Sequence, residues 1–146
     1  MTKDQMRELY NDRIMELANN IPLQRRLEAP DITVERRSPL CGSRITVDIQ
    51  ISSNQITDYG HVVRACTLGQ AAASIMAGHV IGSDSNTLRR IAEGVRRLLK
   101  DGDDKIADEW PELRYLVPAH EYKSRHGSVL LAFEAVEQAV NQAQQK

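Results

Sequence analysis

The side chains best suited to chemistry are two cysteines, the only thiols in this chain of 146 residues. Cys41 lies in the segment Ser-Pro-Leu-Cys-Gly-Ser over residues 38–43, and Cys66 precedes a stretch rich in alanine and serine. Thiolates select zinc, copper(I) and iron–sulfur clusters over hard cations. A cysteine can also accept sulfur as a persulfide, and a pair can form a reversible disulfide. These alternatives stay open beside a simpler one, two small hydrophobic residues without chemistry.

Composition and charge indicate the cellular location in which the cysteines would act and the classes of partner to expect. The sequence has no basic segment followed by an apolar one at its start and no run of about eighteen apolar residues, so we expect neither a secretory signal nor a membrane span. The expected location is cytoplasmic, where a cysteine pair more often binds metal or does thiol chemistry than forms a structural disulfide. With 19 basic against 20 acidic residues, and no aromatic residues between the arginine pairs, nucleic-acid binding is not indicated.

A β-hairpin is predicted between the two cysteines. Aliphatic and polar residues alternate over residues 44–51, which is typical of a strand with one buried face. A Ser-Ser-Asn turn then leads into a second strand over 55–64, and residues 32–36 could add an edge strand. Because Cys41 precedes the hairpin and Cys66 follows it, we expect both at one end of the sheet, where loops commonly build sites.

Helices are predicted for most of the remaining chain. Aliphatic residues recur at three- and four-residue steps in the first twenty positions, over 86–100 and from about 124 onwards. The small residues after Cys66 favour a helix that packs closely on the sheet. Residues 103–123 are expected to be irregular because prolines interrupt them. The order predicts one α+β domain over residues 1–146, with helices on one face of a small three-stranded antiparallel sheet.

The segments around the cysteines resemble a known family. Residues 38–43, the alternating hairpin behind them, and Ala65-Cys66 followed by the Ala/Ser-rich stretch are similar to the U-type iron–sulfur cluster scaffold family, which comprises NifU, IscU and SufU-like proteins. The family pattern is Asn-Pro-x-Cys-Gly-Asp, a hairpin, Gly-Cys before a small-residue helix, and a third cysteine opening the last helix. The resemblance implies an IscU/SufU-like fold, with the long segment before the last helix closer to the SufU branch.

Two of the four usual ligand positions of that family differ in this chain. Ser43 stands where the family has aspartate, and Ser128 where it has the third cysteine. A neutral hydroxyl is a poor ligand beside a carboxylate or thiolate. His126 is the candidate third ligand, because imidazole suits zinc and iron. The resemblance therefore implies cofactor or metal ligands at Cys41, Cys66 and His126, with Cys66 also a candidate sulfur acceptor.

The resemblance also implies a role in iron–sulfur cluster assembly. The chain would hold iron, a labile [2Fe–2S] cluster or zinc through its two cysteines, or accept sulfur from a cysteine desulfurase, and would serve apo-protein recipients. Two thiolates are half of a usual ligand set, so a homodimer could present four. Catalytic turnover is not indicated beyond sulfur transfer. Two alternatives stay open: a non-metallated paralogue that only binds partners of the assembly machinery, and a redox pair.

Overall fold

Eight regular elements and two 3₁₀ segments follow one another in this computed structural model, which describes residues 2–39 and 42–146. The helices and strands are α1 Lys3–Leu9, α2 Asp12–Asn19, β1 Ile32–Arg37, β2 Arg44–Ser52, β3 Gln55–Arg64, α3 Thr67–His79, α4 Ser85–Asp101 and α5 Lys123–Gln144. The 3₁₀ segments are Lys105–Asp108 and Pro111–Glu121. No described helix combines the length and the apolar character needed to cross a bilayer.

The three strands form one antiparallel sheet with β2 in the middle. Val34, Val47 and His61 are aligned across the strands and are all buried. Ser53 and Asn54 form the hairpin turn with φ of 50° and 66°, in the left-handed region that asparagine tolerates better than most residues. The hairpin and the edge strand predicted from the sequence are confirmed.

Helices α3 and α5 cover one face of this sheet. The aliphatic residues of β1 and β2 that face them are almost fully buried, because side chains alternate between the two faces of a strand. Helix α3 is buried along most of its length, which its small residues permit. The predicted class, α+β with helices on one face of a three-stranded sheet, is confirmed.

The N-terminal region differs from the single amphipathic helix that its periodicity predicted. Helix α1 ends at Leu9 and α2 begins at Asp12. Between them, the side chain of Asn11 accepts a hydrogen bond from the Ile14 N–H at 3.0 Å. Asparagine competes with the backbone for hydrogen bonds and is preferred at helix N-caps. It therefore starts a second helix where the hydrophobic pattern alone continues the first.

The segment before α5 is more regular than expected. Pro111 occupies the start of the second 3₁₀ segment, where its missing N–H costs no hydrogen bond, and Pro118 lies inside it. Prolines therefore shape this segment into 3₁₀ turns instead of leaving it irregular. Helix α4 ends where the sequence predicted, at Gly102, which has a φ of 73°.

Residues 22–26 form hydrogen bonds with the sheet, both at its β3 edge and on the face opposite the helices. At the edge, His61 donates from its backbone N–H to the Leu23 carbonyl at 3.2 Å and from Nε2 to the Pro22 carbonyl at 2.8 Å. On the outer face, the fully buried side chain of Asp48 accepts a hydrogen bond from Arg26 Nε at 2.7 Å. This segment thus covers part of the sheet that the helices leave open.

Candidate functional site

The two ends of the hairpin bring the predicted site loops together. Arg44 begins β2 and pairs directly with Arg64 at the end of β3. Residues 42–43 and 65–66 therefore lie at one end of the sheet, as expected from the hairpin. Cys41 lies outside the described residues, so the positions that can be compared are Ser43 and Cys66.

Cys66 is the N-cap residue of α3, as its place before the small-residue stretch predicted. Its side chain makes no hydrogen bond to the first turn of the helix. Instead, Sγ lies 3.1 Å from Oγ of Ser128, on α5. Cys66 is a half-buried residue and is not in a disulfide. It is therefore held against the neighbouring helix and remains partly accessible to a reactant.

Ser128 links the two loops through its hydroxyl group. Its Oγ also lies 3.3 Å from Oγ of Ser43, and both serines are buried. Positions 43, 66 and 128 are three of the four at which the resemblance implies ligands. The structure brings these three together around Ser128, but with one thiol and two hydroxyls in place of charged donors.

The hydrogen-bond directions in this cluster follow from the chemistry of each group. A thiolate can only accept a hydrogen bond, so Ser128 must donate whenever Cys66 is ionised. The Ser128 oxygen is then able to accept from the Ser43 hydroxyl. The two serines can therefore form a donor chain that ends on the sulfur of Cys66.

Two glycines let the elements approach closely enough for these contacts. A Cβ atom at Gly69 would lie 2.4 Å from Ser128 Oγ, and one at Gly127 would lie 2.8 Å from Ser38 Oγ. Ser38 is buried and closes its loop with a backbone hydrogen bond of 2.8 Å from its N–H to the Ser43 carbonyl. Nothing in the local sequence pattern indicates that small residues are needed at Ser38, Gly69 and Gly127, because the need arises from contacts between elements distant in sequence.

His126 is not brought into this cluster. Its Nε2 lies 2.9 Å from the carbonyl oxygen of Ala119 and 3.1 Å from that of His120. Residues two apart on an α-helix project in very different directions, so His126 does not share a face of α5 with Ser128. Over the ranges 2–39 and 42–146, no three His, Cys, Asp or Glu side chains form a group that could hold a metal ion.

Comparison with known proteins places this chain in a family. Residues 9–146 match the family described as the NifU-like N terminal domain. The chain belongs to this NifU-like family. The resemblance predicted from the cysteine segments is thereby confirmed.

Two curated relatives match almost the whole chain. The iron-sulfur cluster assembly scaffold protein IscU of Thermotoga maritima is 20% identical over 90% of this chain and 92% of its own length. The zinc-dependent sulfurtransferase SufU of Bacillus subtilis is 24% identical over 90% of this chain and 89% of its own length. Members similar to this chain thus carry descriptions of both cluster scaffolding and sulfur transfer.

Solved structures of similar proteins share the fold. A NifU-like protein (N-terminal) from Brucella abortus superimposes with a TM-score of 0.92 at 36% identity, covering 97% of this chain and 99% of that one. A candidate scaffold protein for the SUF system from Fervidobacterium islandicum has a TM-score of 0.81 at 18% identity, covering 92% and 98%. The overall architecture of this chain is therefore that of these solved structures.

The types of side chain around Ser128 indicate what the described residues of this site can bind. A closed zinc site takes four ligands, and a [2Fe–2S] cluster ordinarily takes four cysteines. Around Ser128 one thiol and two neutral hydroxyls meet. These described side chains do not make a metal's ligand set within one chain, whereas a single thiol is sufficient to carry sulfur.

Proposed function

We propose that this protein acts in iron–sulfur cluster assembly and that Cys66, with Cys41, takes up its cargo. The observation that carries the proposal is the contact chain from Cys66 Sγ through Ser128 Oγ to Ser43 Oγ, at 3.1 and 3.3 Å. It leaves a thiol at one of the family's ligand positions. Membership of the NifU-like family supports a role in iron–sulfur cluster assembly, and the Cys66 thiol supports the uptake of cargo.

Sulfur is the cargo that one chain can take by itself. In the proposed step, the Cys66 thiolate attacks the outer sulfur of a persulfide on a cysteine desulfurase. A bond forms between Cys66 Sγ and that sulfur, the bond between the donor's two sulfurs breaks, and the donor cysteine leaves as a thiolate. The exchange needs no external oxidant or reductant. The description of the SufU relative as a sulfurtransferase supports this form of the proposal.

Iron or a [2Fe–2S] cluster would require more thiolates than one chain supplies. A homodimer that brings Cys41 and Cys66 of both chains together would present four. Zinc binding that used His126 as a third ligand would have to use Nδ1, since Nε2 donates to backbone carbonyls. Delivery would go to apo-protein recipients, as the description of the IscU relative as a scaffold suggests.

A second candidate function is favoured by the two serines. Ser43 and Ser128 replace charged ligands with neutral hydroxyls at positions that the fold still brings together. A protein that bound partners of the assembly machinery without carrying cargo would have no need of those ligands. Such a paralogue would bind a cysteine desulfurase independently of both cysteines.

Mass spectrometry under anaerobic conditions separates these functions. After incubation with a cysteine desulfurase and cysteine, we expect the chain to gain the mass of one sulfur atom, and Cys66→Ser to gain none. Met15→Ser, which removes an exposed sulfur-containing side chain on α2, is the matched control and should load like the wild type. Reconstitution with iron and sulfide should give cluster absorbance in a dimer fraction, which Cys41→Ser abolishes.

Two results would contradict uptake of cargo by Cys66. One is a wild-type chain that gains neither sulfur nor cluster absorbance. The other is equal loading of the wild type and Cys66→Ser. If the desulfurase nevertheless binds a variant lacking both cysteines with unchanged affinity, the partner-binding role replaces the proposal.

A further inference from the structure

Three arginines form a row across the outer face of the sheet. Arg37, Arg44 and Arg64 are direct register partners on β1, β2 and β3, and all three are exposed. Each lies three positions from a buried residue of the helix-facing side, so each projects from the opposite face. We call these three residues the arginine row.

The positive charge of the arginine row is only partly balanced. Arg37 lies 3.5 Å from Glu35, and both side chains are largely exposed. Arg44 and Arg64 are in no ion pair with any residue in the described ranges. Like charges directly opposite each other destabilise a sheet. The row therefore has no evident role in holding the fold together.

The arginine row lies beside the proposed cargo site. Arg44 directly follows Ser43, and Arg64 precedes Cys66 by two residues. Further along the outer face, Asp48 is covered by Arg26, but the row itself is uncovered. A protein that reaches the Cys66 thiol can therefore contact the row at the same time.

We propose that the arginine row docks an acidic surface patch of the protein that donates sulfur to Cys66. This inference rests on the proposed function, in which the donor is a cysteine desulfurase. Charge complementarity carries it, since arginine is favoured in protein interfaces and binds carboxylates in two-point hydrogen bonds. The whole chain has a net charge of −1, so the attraction is local to this face. The arginine row and the adjacent row Glu35, Thr46 and Val62 contain no aromatic residue on which a nucleic-acid base could stack.

Charge reversal tests the docking surface. In Arg44→Glu/Arg64→Glu, positions 44 and 64 still carry like charges and position 44 gains a charge opposite to that of Arg37, so the sheet should retain its stability. The matched control, Arg13→Glu/Arg97→Glu, changes two exposed arginines on α2 and α4 and alters the net charge by the same amount. With the desulfurase at low ionic strength, we expect the dissociation constant to rise about tenfold or more in the first variant and to change little in the control. Added salt should weaken the wild-type complex more than that of the first variant.

Loading with inorganic polysulfide separates failure of this inference from failure of the proposed function. If polysulfide and the desulfurase both leave Cys66 without sulfur, the proposed function fails. The docking inference is overturned if the desulfurase does not bind, or if both double variants bind it with the same affinity and salt dependence. It is also overturned if a short single-stranded oligonucleotide binds the wild type and Arg44→Glu/Arg64→Glu abolishes that binding, because the row would then serve nucleic acid. Polysulfide loading of the wild-type chain, with weaker desulfurase binding only in Arg44→Glu/Arg64→Glu, supports the inference.

Discussion

Ser128 determines which donor groups surround Cys66. Its hydroxyl occupies the point where α5, the hairpin entrance and the N-terminus of α3 meet, 3.1 Å from the thiol and 3.3 Å from Ser43 Oγ. The two serines supply hydrogen bonds, which suit a single thiolate or persulfide. A divalent metal instead needs charged donors at these positions.

Restoring those donors should create a metal site. We expect Ser43→Asp/Ser128→Cys to bind one Zn²⁺ per chain at least roughly 100-fold more tightly than the wild type, because an added thiolate and carboxylate would face Cys66. Competition against a chromophoric chelator measures the affinity. Ser74→Cys, which adds a thiol at a different buried serine, is the control. Equal zinc affinity in the double variant and the control would show that these positions do not converge on a metal.

The contact between α3 and α5 depends on a missing side chain. A Cβ atom at Gly69 would lie 2.4 Å from Ser128 Oγ and 2.8 Å from the Cβ of Ala65. At Gly78, near the other end of α3, a Cβ atom would meet nothing within 4 Å. One glycine is therefore required for helix packing, whereas the other is not.

Substitution by alanine should change the free energy of unfolding in opposite directions at these two glycines. Gly69→Ala should lower the free energy of unfolding by roughly 1–3 kcal/mol, because close packing leaves no room for the methyl group. Gly78→Ala should raise it by about 0.5–1 kcal/mol, because alanine is the better helix former and has open space. Urea denaturation measures both changes. A neutral or stabilising Gly69→Ala would contradict close packing of α3 against α5 at this position.

At the scale of the whole molecule, residues 22–26 connect the N-terminal helices to the sheet through buried polar groups. The ring of His61 is buried, so its pKa is lowered, although the hydrogen bond to the Pro22 carbonyl acts in the opposite direction. Burial alone raises the pKa of Asp48, but the hydrogen bonds from Arg26, Thr33 and other donors outweigh it and leave a net lowering. Both groups therefore link folding to pH.

Acid should destabilise the molecule in two stages. In the unfolded chain, His61 becomes protonated below a pH of about 6.5, whereas in the native state it stays neutral until the pH falls to its lowered pKa. The free energy of unfolding therefore decreases over this pH range. The contribution of Asp48 is present above its ordinary pKa of about 3.8 and is lost at lower pH, as the pH falls through the native pKa. Denaturation at a series of pH values measures both stages. His61→Gln should lack the first stage and His79→Gln should keep it. A first stage of equal size in both variants would contradict the assignment to His61.

Local pattern predicted the parts of this molecule that depend on neighbouring residues. The alternation over residues 44–51, the turn after it and the small residues after Cys66 predicted the hairpin and the capped helix α3. Periodicity overestimated the N-terminal helix, because one asparagine side chain competes with the backbone there. It also missed the 3₁₀ turns around Pro118, since proline constrains the backbone without specifying which structure replaces a helix.

The sequence by itself determined the family, the fold and the identity of the thiols, since these follow from short motifs and local periodicity. Only the tertiary structure decided which groups surround Cys66. It placed Ser128 against the thiol across 62 positions of sequence and turned Nε2 of His126 towards backbone carbonyls. It also aligned the arginine row through strand register. Such contacts depend on how helices and strands pack, and no local pattern specifies that packing.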